Sequence, residues 1–287
     1  MATTATAPPV ASTRNQERVA ELTQTIEESL THLEAELALG HTRGFLQVLE
    51  FYSRFHRYSF NNTLLIRAQR PDATLVAGYR KWQELGFQVK RGETGIAIRA
   101  PWLKKLPDPD TGEIIPRLVG YVATTVFDIS QTHEWPEKQP PSWRHDLGGR
   151  RDWAYEYCLL KITIGTTGVL IGEEPLPQGV HGMAWQDRIA INPRLSDSEK
   201  FLVALHEWAH QLAHFGDERQ DTTKKQREVE AEACAFVVSR LCGIEHPFSR
   251  DYLIRYGCDP EYLRSVLERV QQLSRQMAQL MGLEEAR

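Results

Sequence analysis

The sequence predicts an α+β protein of two domains, and three observations support this fold class. Apolar residues recur every three or four positions in several long stretches, which is the period of an amphipathic helix. Between about residues 74 and 127 the pattern changes to short apolar alternations around Gly86, Gly92 and Gly95, which is typical of strands and tight turns. A stretch rich in proline and glycine, Glu134 to Arg151, then divides the chain.

The individual elements follow from the same patterns. Before the division, helices are predicted at about 16–40, 42–55 and 61–68, followed by the strand-rich stretch. After it, a strand is predicted at 188–191 and helices at about 152–164, 197–215, 226–241 and 260–281. Ser196 and Glu199 have the spacing of a capping box at the start of the helix predicted at 197–215. We therefore predict a mobile tail at 1–14, a first domain at 15–135, a linker at 136–150 and a second domain at 151–287.

The composition excludes several classes of protein. The 287 residues include 34 Lys and Arg, 38 Asp and Glu, and 41% hydrophobic residues, which is the composition of a globular chain rather than a disordered one. No segment approaches the run of about 18 apolar residues that a membrane-spanning helix needs, so no membrane partner is expected. The first residues lack a basic start followed by an apolar run, and the 4 cysteines form no CxxC pair. Both observations favour a cytoplasmic location.

The charge is concentrated in one segment. Residues 41–105 carry 12 Lys and Arg against 4 Asp and Glu, although the whole chain has a net charge of -4. The same segment contains 10 aromatic residues, and cations with flat rings suit the phosphates and unpaired bases of single-stranded DNA. The alternative is that most of these rings fill the core of a small domain. The candidate DNA-binding residues are Arg57, Tyr58, Asn62, Arg67, Arg70, Arg80, Lys81, Trp82, Lys90, Arg91, Lys104 and Lys105.

The strongest chemical motif is the HExxH sequence of His206, Glu207 and His210. Two histidines four residues apart lie on one face of a helix, so that both imidazoles can reach one metal ion. Glu207 lies beside them and is the candidate catalytic base. The alternative is a pair of histidines that make ordinary hydrogen bonds. Zn²⁺ is the expected metal, with Mn²⁺ as the other divalent candidate.

The following helix offers the third ligand. Glu228 and Glu232 share one helical face, whereas Glu230 points elsewhere, and buried glutamates need a partner. We favour Glu228 as the ligand, with Glu232 bonded to a ligand histidine; the reverse assignment and a solvated acidic face remain open. His214 lies about 12 Å from His206 along a straight helix, so it is expected to support the site rather than bind the metal.

These motifs resemble those of gluzincin metallopeptidases, and more closely those of ImmA/IrrE-type proteases. The resemblance depends on the HExxH sequence, the strand Arg188–Ile191, and Glu228 and Ala231 with Phe236 on the following helix. The resemblance implies a zincin-like C-terminal domain that hydrolyses peptides, in which zinc and Glu207 activate a water. It also implies that an edge strand near 187–191 binds substrate. The oxyanion would be stabilised by one of three candidates, His246, Tyr252 or Tyr256.

The first domain resembles the N-terminal domain of ArdC antirestriction proteins. The motifs that carry this resemblance are YSFNNTLLI (58–66), AGYRKWQ (77–83), KRGETGIAI (90–98) and VFDISQT (126–132). It implies a plasmid-encoded conjugation protein that binds single-stranded DNA and protects incoming DNA from type I restriction. A protein of the restriction machinery is the implied substrate of the protease domain. The alternatives are a repair protease for DNA–protein crosslinks and a DNA-protecting protein whose metal is purely structural.

Overall fold

The computed structural model describes residues 13–108, 111–134, 151–215, 222–244 and 259–283. The predicted tail is therefore almost entirely outside the described residues, and the predicted linker entirely so. The chain divides into two compact units, one built from the described parts of Met1–Ser29 and Leu64–Lys138, the other from those of Leu30–Thr63 and Gln139–Arg287. Within the described ranges, no helix is both long enough and apolar enough to span a bilayer. The mixture of helices and sheets confirms the predicted α+β class.

The first unit is built on an antiparallel sheet of three strands in the order β1-β4-β3. The long strands β3 and β4 pair from Ile96 opposite Val126 out to Pro107 opposite Ile114, whereas β1 pairs only with the end of β4. A second, two-stranded sheet joins β2 to β5. The bounds are β1 Val76–Gly78, α4 Tyr79–Glu84, β2 Phe87–Val89, β3 Ile96–Pro107, β4 Ile114–Asp128 and β5 Thr132–Glu134.

Asp128 and Gln131 join the loops of this unit. Both side chains are buried, at 2% and 1% exposure. The Asp128 carboxylate accepts hydrogen bonds from the backbone N–H groups of Thr74, Leu75 and Ser130, at 2.8, 3.1 and 3.0 Å. The Gln131 amide donates to the carbonyl oxygen of Thr94 at 2.8 Å. The conspicuous VFDISQT sequence therefore has a structural role in fixing these loops.

Replacing Asp128 with alanine is expected to lower the free energy of unfolding of this unit by about 2–3 kcal/mol, because buried N–H groups lose their acceptor. Burial acts to raise the pKa of Asp128, but the hydrogen bonds from Ser130, Thr74 and Leu75 outweigh it and lower the pKa. The stabilisation is thus complete above the ordinary carboxyl pKa of about 4 and is lost as the pH falls through the lower folded value. Urea unfolding between about pH 3 and pH 7 measures both effects. An unchanged acid dependence in Asp128→Ala would contradict this assignment.

The second unit is mainly helical, and its helices lie within a few residues of the predicted ones. Its three-stranded sheet has the order β6-β8-β7, with β6 parallel and β7 antiparallel to β8. The helices begin with α1 Thr13–Ala38, α2 Arg43–Arg54 and α3 Phe60–Gln69, of which α1 and α3 cross the division between the units. The remaining elements are α5 Trp153–Thr166, β6 Leu170–Glu173, β7 Gly182–Ala184, β8 Arg188–Ile191, α6 Asp197–Ala213, α7 Lys224–Leu241 and α8 Leu263–Leu280.

Residues 30–63 pack within the second unit, whereas the sequence grouped them with the strand-rich segment. Helix α2 buries an apolar face and packs against α7. Arg275 of α8 donates hydrogen bonds to the carbonyl oxygens of His56 and Tyr58, both at 2.8 Å. Gln271 accepts from the backbone N–H of Phe60 at 2.6 Å. These contacts hold the turn between α2 and α3 to the last helix of the unit.

Candidate functional site

The two helices of the HExxH region are placed by their caps and by small residues. Ser196 and Glu199 form the predicted capping box at the start of α6, with both reciprocal hydrogen bonds present. On α7, Ala231, Ala233 and Ala235 are fully buried. Side chains this small occupy little space on α7, which packs against α6 with the histidines of α6 opposite the glutamates of α7.

Three side chains converge at one point between these helices. Nε2 of His206 lies 3.0 Å from Nε2 of His210. A carboxylate oxygen of Glu228 lies 3.7 Å from each of these nitrogens. Ligand atoms of the three residues all lie within 4.8 Å of one another, and they are the one such group among the described residues. Two imidazoles and a carboxylate form a donor set that zinc takes in hydrolytic enzymes.

Glu232 contacts the opposite side of the first histidine. Its carboxylate lies 2.7 Å from Nδ1 of His206. In the neutral ring, the bond to Glu232 favours the proton on Nδ1, which leaves the lone pair of Nε2 on the side of His210 and Glu228. Burial acts to lower the pKa of His206, but the bond to Glu232 and the nearby carboxylates outweigh it and raise the pKa to about 9. The pKa of His210 is lowered, chiefly by burial.

Glu207 is buried beside this cluster at 9% exposure. Burial raises its pKa to about 7; His206 opposes this effect, and Glu228 and Glu232 add to it. A carboxyl group with a pKa near neutrality is suited to accept and return a proton. The base candidate from the sequence is therefore adjacent to the converging side chains.

His214 and Glu230 form a separate buried pair. Their side chains lie 3.7 Å apart, and both are almost completely buried. Burial, and then the neighbouring His210, lower the pKa of His214 to about 3. His214 stays out of the three-residue cluster, as its spacing predicts, and Glu230 points away from Glu228 and Glu232.

A cavity of about 900 Å³ opens onto the cluster. Strand β7 forms one side, and Gly182 lies so close to α6 that an added Cβ would be 2.7 Å from Cγ of Glu207.

The predicted edge strand at 187–191 is wrong, because β8 is the central strand and has neighbours on both sides. Sequence reasoning missed β7, whose only signal is the glycine-rich stretch before β8. The oxyanion candidates His246, Tyr252 and Tyr256 lie outside the described residues.

The candidate DNA-binding residues do not form one group. Trp82 is fully buried, packs edge-on against Phe87 and donates from Nε1 to the carbonyl oxygen of Phe127 at 2.8 Å. It is a core residue and is not available to stack on a base, so its assignment to DNA binding is wrong. Exposed members in the first unit are Arg80, Lys81, Arg91 and Lys105, and half-buried ones are Arg67, Arg70, Lys90 and Lys104. Arg57, Tyr58 and Asn62 lie in the second unit.

Comparison with known proteins defines the class of the first domain. Residues 14–118 match the family model described as the N-terminal domain of anti-restriction factor ArdC. The chain therefore carries a domain of this family, and the resemblance to ArdC-type antirestriction proteins is confirmed. The match includes residues 30–63, which pack within the second unit.

Particular relatives extend the similarity along the chain. The metal-free crystal structure of the antirestriction ArdC protein from plasmid R388 matches with a TM-score of 0.55, over 90% of this chain and 96% of that one, at 17% identity. The Mn(II)-bound structure of that protein matches with a TM-score of 0.51 over 89% and 97%, also at 17% identity. These matches establish a shared fold. An uncharacterised protein of Bacillus anthracis is 26% identical over 243 residues, and this chain spans 40% of its length.

Proposed function

We propose that this protein is an ArdC-type antirestriction factor that binds single-stranded DNA and carries a metal-dependent hydrolytic centre. One observation supports the proposal most strongly. His206, His210 and Glu228 converge beside a buried Glu207, in a chain whose residues 14–118 match the ArdC N-terminal domain family. The antirestriction ArdC protein from plasmid R388 has the same fold and was crystallised with bound Mn(II), which supports a divalent metal here.

The donor atoms fit such an ion. His206, His210 and Glu228 would hold it, and Glu232 would keep His206 in the tautomer that binds. When bound, the metal supplies a Lewis acid that polarises a carbonyl group and activates a water molecule. Glu207 would accept the proton of that water and return it to the leaving amine. We propose the ImmA/IrrE-like, zincin type for this domain on the same donor set, with zinc or Mn²⁺ as the ion.

The cavity favours a catalytic role over a purely structural one. Structural zinc sites are closed by four protein ligands, whereas catalytic sites keep one position open. Here the described residues supply three ligands, and the cavity beside them is walled by apolar side chains, among them Val180, Met183, Leu202 and Phe215. Among the described strands, β7 pairs with β8 alone, and its other edge would pair with an extended peptide. A protein of the restriction machinery is the proposed substrate.

Transfer of an unmodified conjugative plasmid into restricting recipients tests this proposal. Donors that express the wild-type protein are expected to raise transfer into recipients with a type I system and not into recipients without one. His206→Ala combined with His210→Ala should lose bound metal, measured by elemental analysis of the purified chain. The proposal fails if the wild-type protein gives no protection, or if it binds no oligothymidylate in fluorescence anisotropy. A repair protease would protect equally in both recipients.

Gly182 provides a test of how Glu207 is positioned. In Gly182→Ala the new methyl group would lie 2.6 Å from Val203 and 2.8 Å from a carboxylate oxygen of Glu207, so β7 or Glu207 must move. Displacing a catalytic group by about 1 Å can slow a reaction about 100-fold. We therefore expect Gly182→Ala to slow hydrolysis of a labelled unfolded protein by about 10- to 100-fold while its metal content stays at the wild-type level. Gly172→Ala in β6 is the matched control, because no atom lies within 4 Å of its added Cβ. Equal rates for the two variants would exclude this positioning role.

A further inference from the structure

The outer part of the β3–β4 hairpin is a two-stranded ribbon. We call residues 102–107 and 114–120 the distal ribbon, since β1 pairs with β4 only at residues 126–128. Its apolar side chains face solvent: Leu103 is 55% exposed, Ile114 63% and Leu118 54%. These three side chains share one face of the ribbon, and the other face carries Trp102, Lys104 and Arg117.

One face of the distal ribbon carries two cations opposite each other. Lys104 pairs with Arg117 across the strands, and Nζ of Lys104 lies 4.7 Å from the centre of the Trp102 ring on the same face. Like charges directly opposite in a sheet are destabilising. The only acidic residue in β3 and β4 is Asp128, which is buried at the far end of β4. Within the described part of the chain, neither cation forms an ion pair. An anion from outside the chain would relieve this repulsion.

Trp102 lies opposite Gly120 rather than opposite another side chain. An added Cβ on Gly120 would be 4.0 Å from the indole, so a larger residue would lie against the ring. Glycine therefore leaves this side of the indole uncovered. An aromatic ring can stack on an unpaired base, and cations beside it can bind the phosphates, so this arrangement suits a single strand. A duplex offers the phosphates but keeps its bases stacked.

We propose that the distal ribbon binds single-stranded DNA, with phosphates at Lys104 and Arg117 and a base against Trp102. This inference rests on the proposed function and adds the location of the strand. Arg117 lies outside the basic segment 41–105 and gains its role only from its place opposite Lys104. Leu103 and Leu118 lie on the opposite face of the ribbon and are not part of this site.

Fluorescence anisotropy of a labelled oligothymidylate with the full chain, as a function of salt, tests the assignment. Lys104→Gln with Arg117→Gln should weaken binding about 10-fold or more at ~0.1 M salt and reduce the salt slope by about 1.4, at about 0.7 per phosphate contact. Trp102→Ala should weaken binding about 5- to 150-fold. The charge-keeping swap Lys104→Arg with Arg117→Lys should bind like wild type. Lys161→Gln with Arg194→Gln, in the second unit, controls for the loss of two charges.

Thermal unfolding separates binding from folding, because removing the opposed cations should leave the Tm unchanged or raise it. If the wild-type protein binds and the ribbon variants match it in affinity and salt slope, the ribbon assignment is wrong and the proposed function stands. If the wild-type protein does not bind, the proposed function fails. Tighter binding of an oligouridylate would overturn the assignment to DNA. If the double variant Leu103→Ser, Leu118→Ser has a lower molar mass in solution than the wild-type protein but the same DNA affinity, the ribbon is instead a contact between copies of this chain.

Discussion

Replacing Glu207 with glutamine is expected to slow metal-dependent hydrolysis of a labelled unfolded protein by about 10²- to 10⁴-fold, the usual contribution of a general base. The amide cannot accept the proton, although it has nearly the same size as the carboxyl group. Glu207 is outside the set of three converging ligand atoms, so metal content should stay at the wild-type level. Initial rates with and without single-stranded DNA, together with elemental analysis, measure both properties.

Glu261→Gln is the matched control for this substitution, because Glu261 is an exposed residue away from the cavity. Full hydrolysis by Glu207→Gln would remove Glu207 from the mechanism. The same variant also separates the two parts of the proposed function. If it loses hydrolysis and keeps full protection in conjugation, DNA binding alone provides the protection. If both are lost together while DNA binding is retained, proteolysis is part of the protection.

Replacing Trp82 with alanine is expected to lower the free energy of unfolding of the first unit by about 3–5 kcal/mol. The indole is fully buried with its ring centre 5.5 Å from that of Phe87, and its N–H donates to the carbonyl oxygen of Phe127. Truncation leaves a large cavity and an acceptor without its donor. Urea unfolding followed by circular dichroism measures the change in the midpoint.

Trp102→Ala is the control for Trp82→Ala, since Trp102 lies on the distal ribbon and is only half-buried. It should lower stability by less than about 1 kcal/mol. DNA binding lost in Trp82→Ala would follow from loss of structure, and DNA binding lost in Trp102→Ala from loss of a contact. The interpretation of Trp82 as a core residue would be wrong if its alanine variant kept wild-type stability.

The helices and the side chains that converge between them were predictable because both depend on local spacing. The apolar period defines α6 and α7, and the four-residue spacing places both histidines on one face of α6, opposite Glu228 and Glu232. Which elements pack against each other, when they are far apart in the sequence, was not predictable. The period of α2 shows that one face is buried but does not show that α7 covers it.

Aromatic residues illustrate the same limit. Trp82 and Trp102 both lie in the basic segment, and composition treats them alike. Only the tertiary structure shows that one ring fills a core and the other lies beside opposed cations. Strand order is also a long-range property, so the sequence could locate β8 correctly and still misplace it at the edge of its sheet.

The contacts between α6 and α7 also fix the register of the two helices. Glu228 faces His206 and His210, Glu230 faces His214, and Glu232 faces His206. Because the three histidines are about one turn apart, sliding one helix past the other by a turn, about 5.4 Å, would move each glutamate to a different histidine or leave it without one. An ion held by His206, His210 and Glu228 would bind only in this register, so the proposed metal binding would be thermodynamically linked to the packing of the two helices.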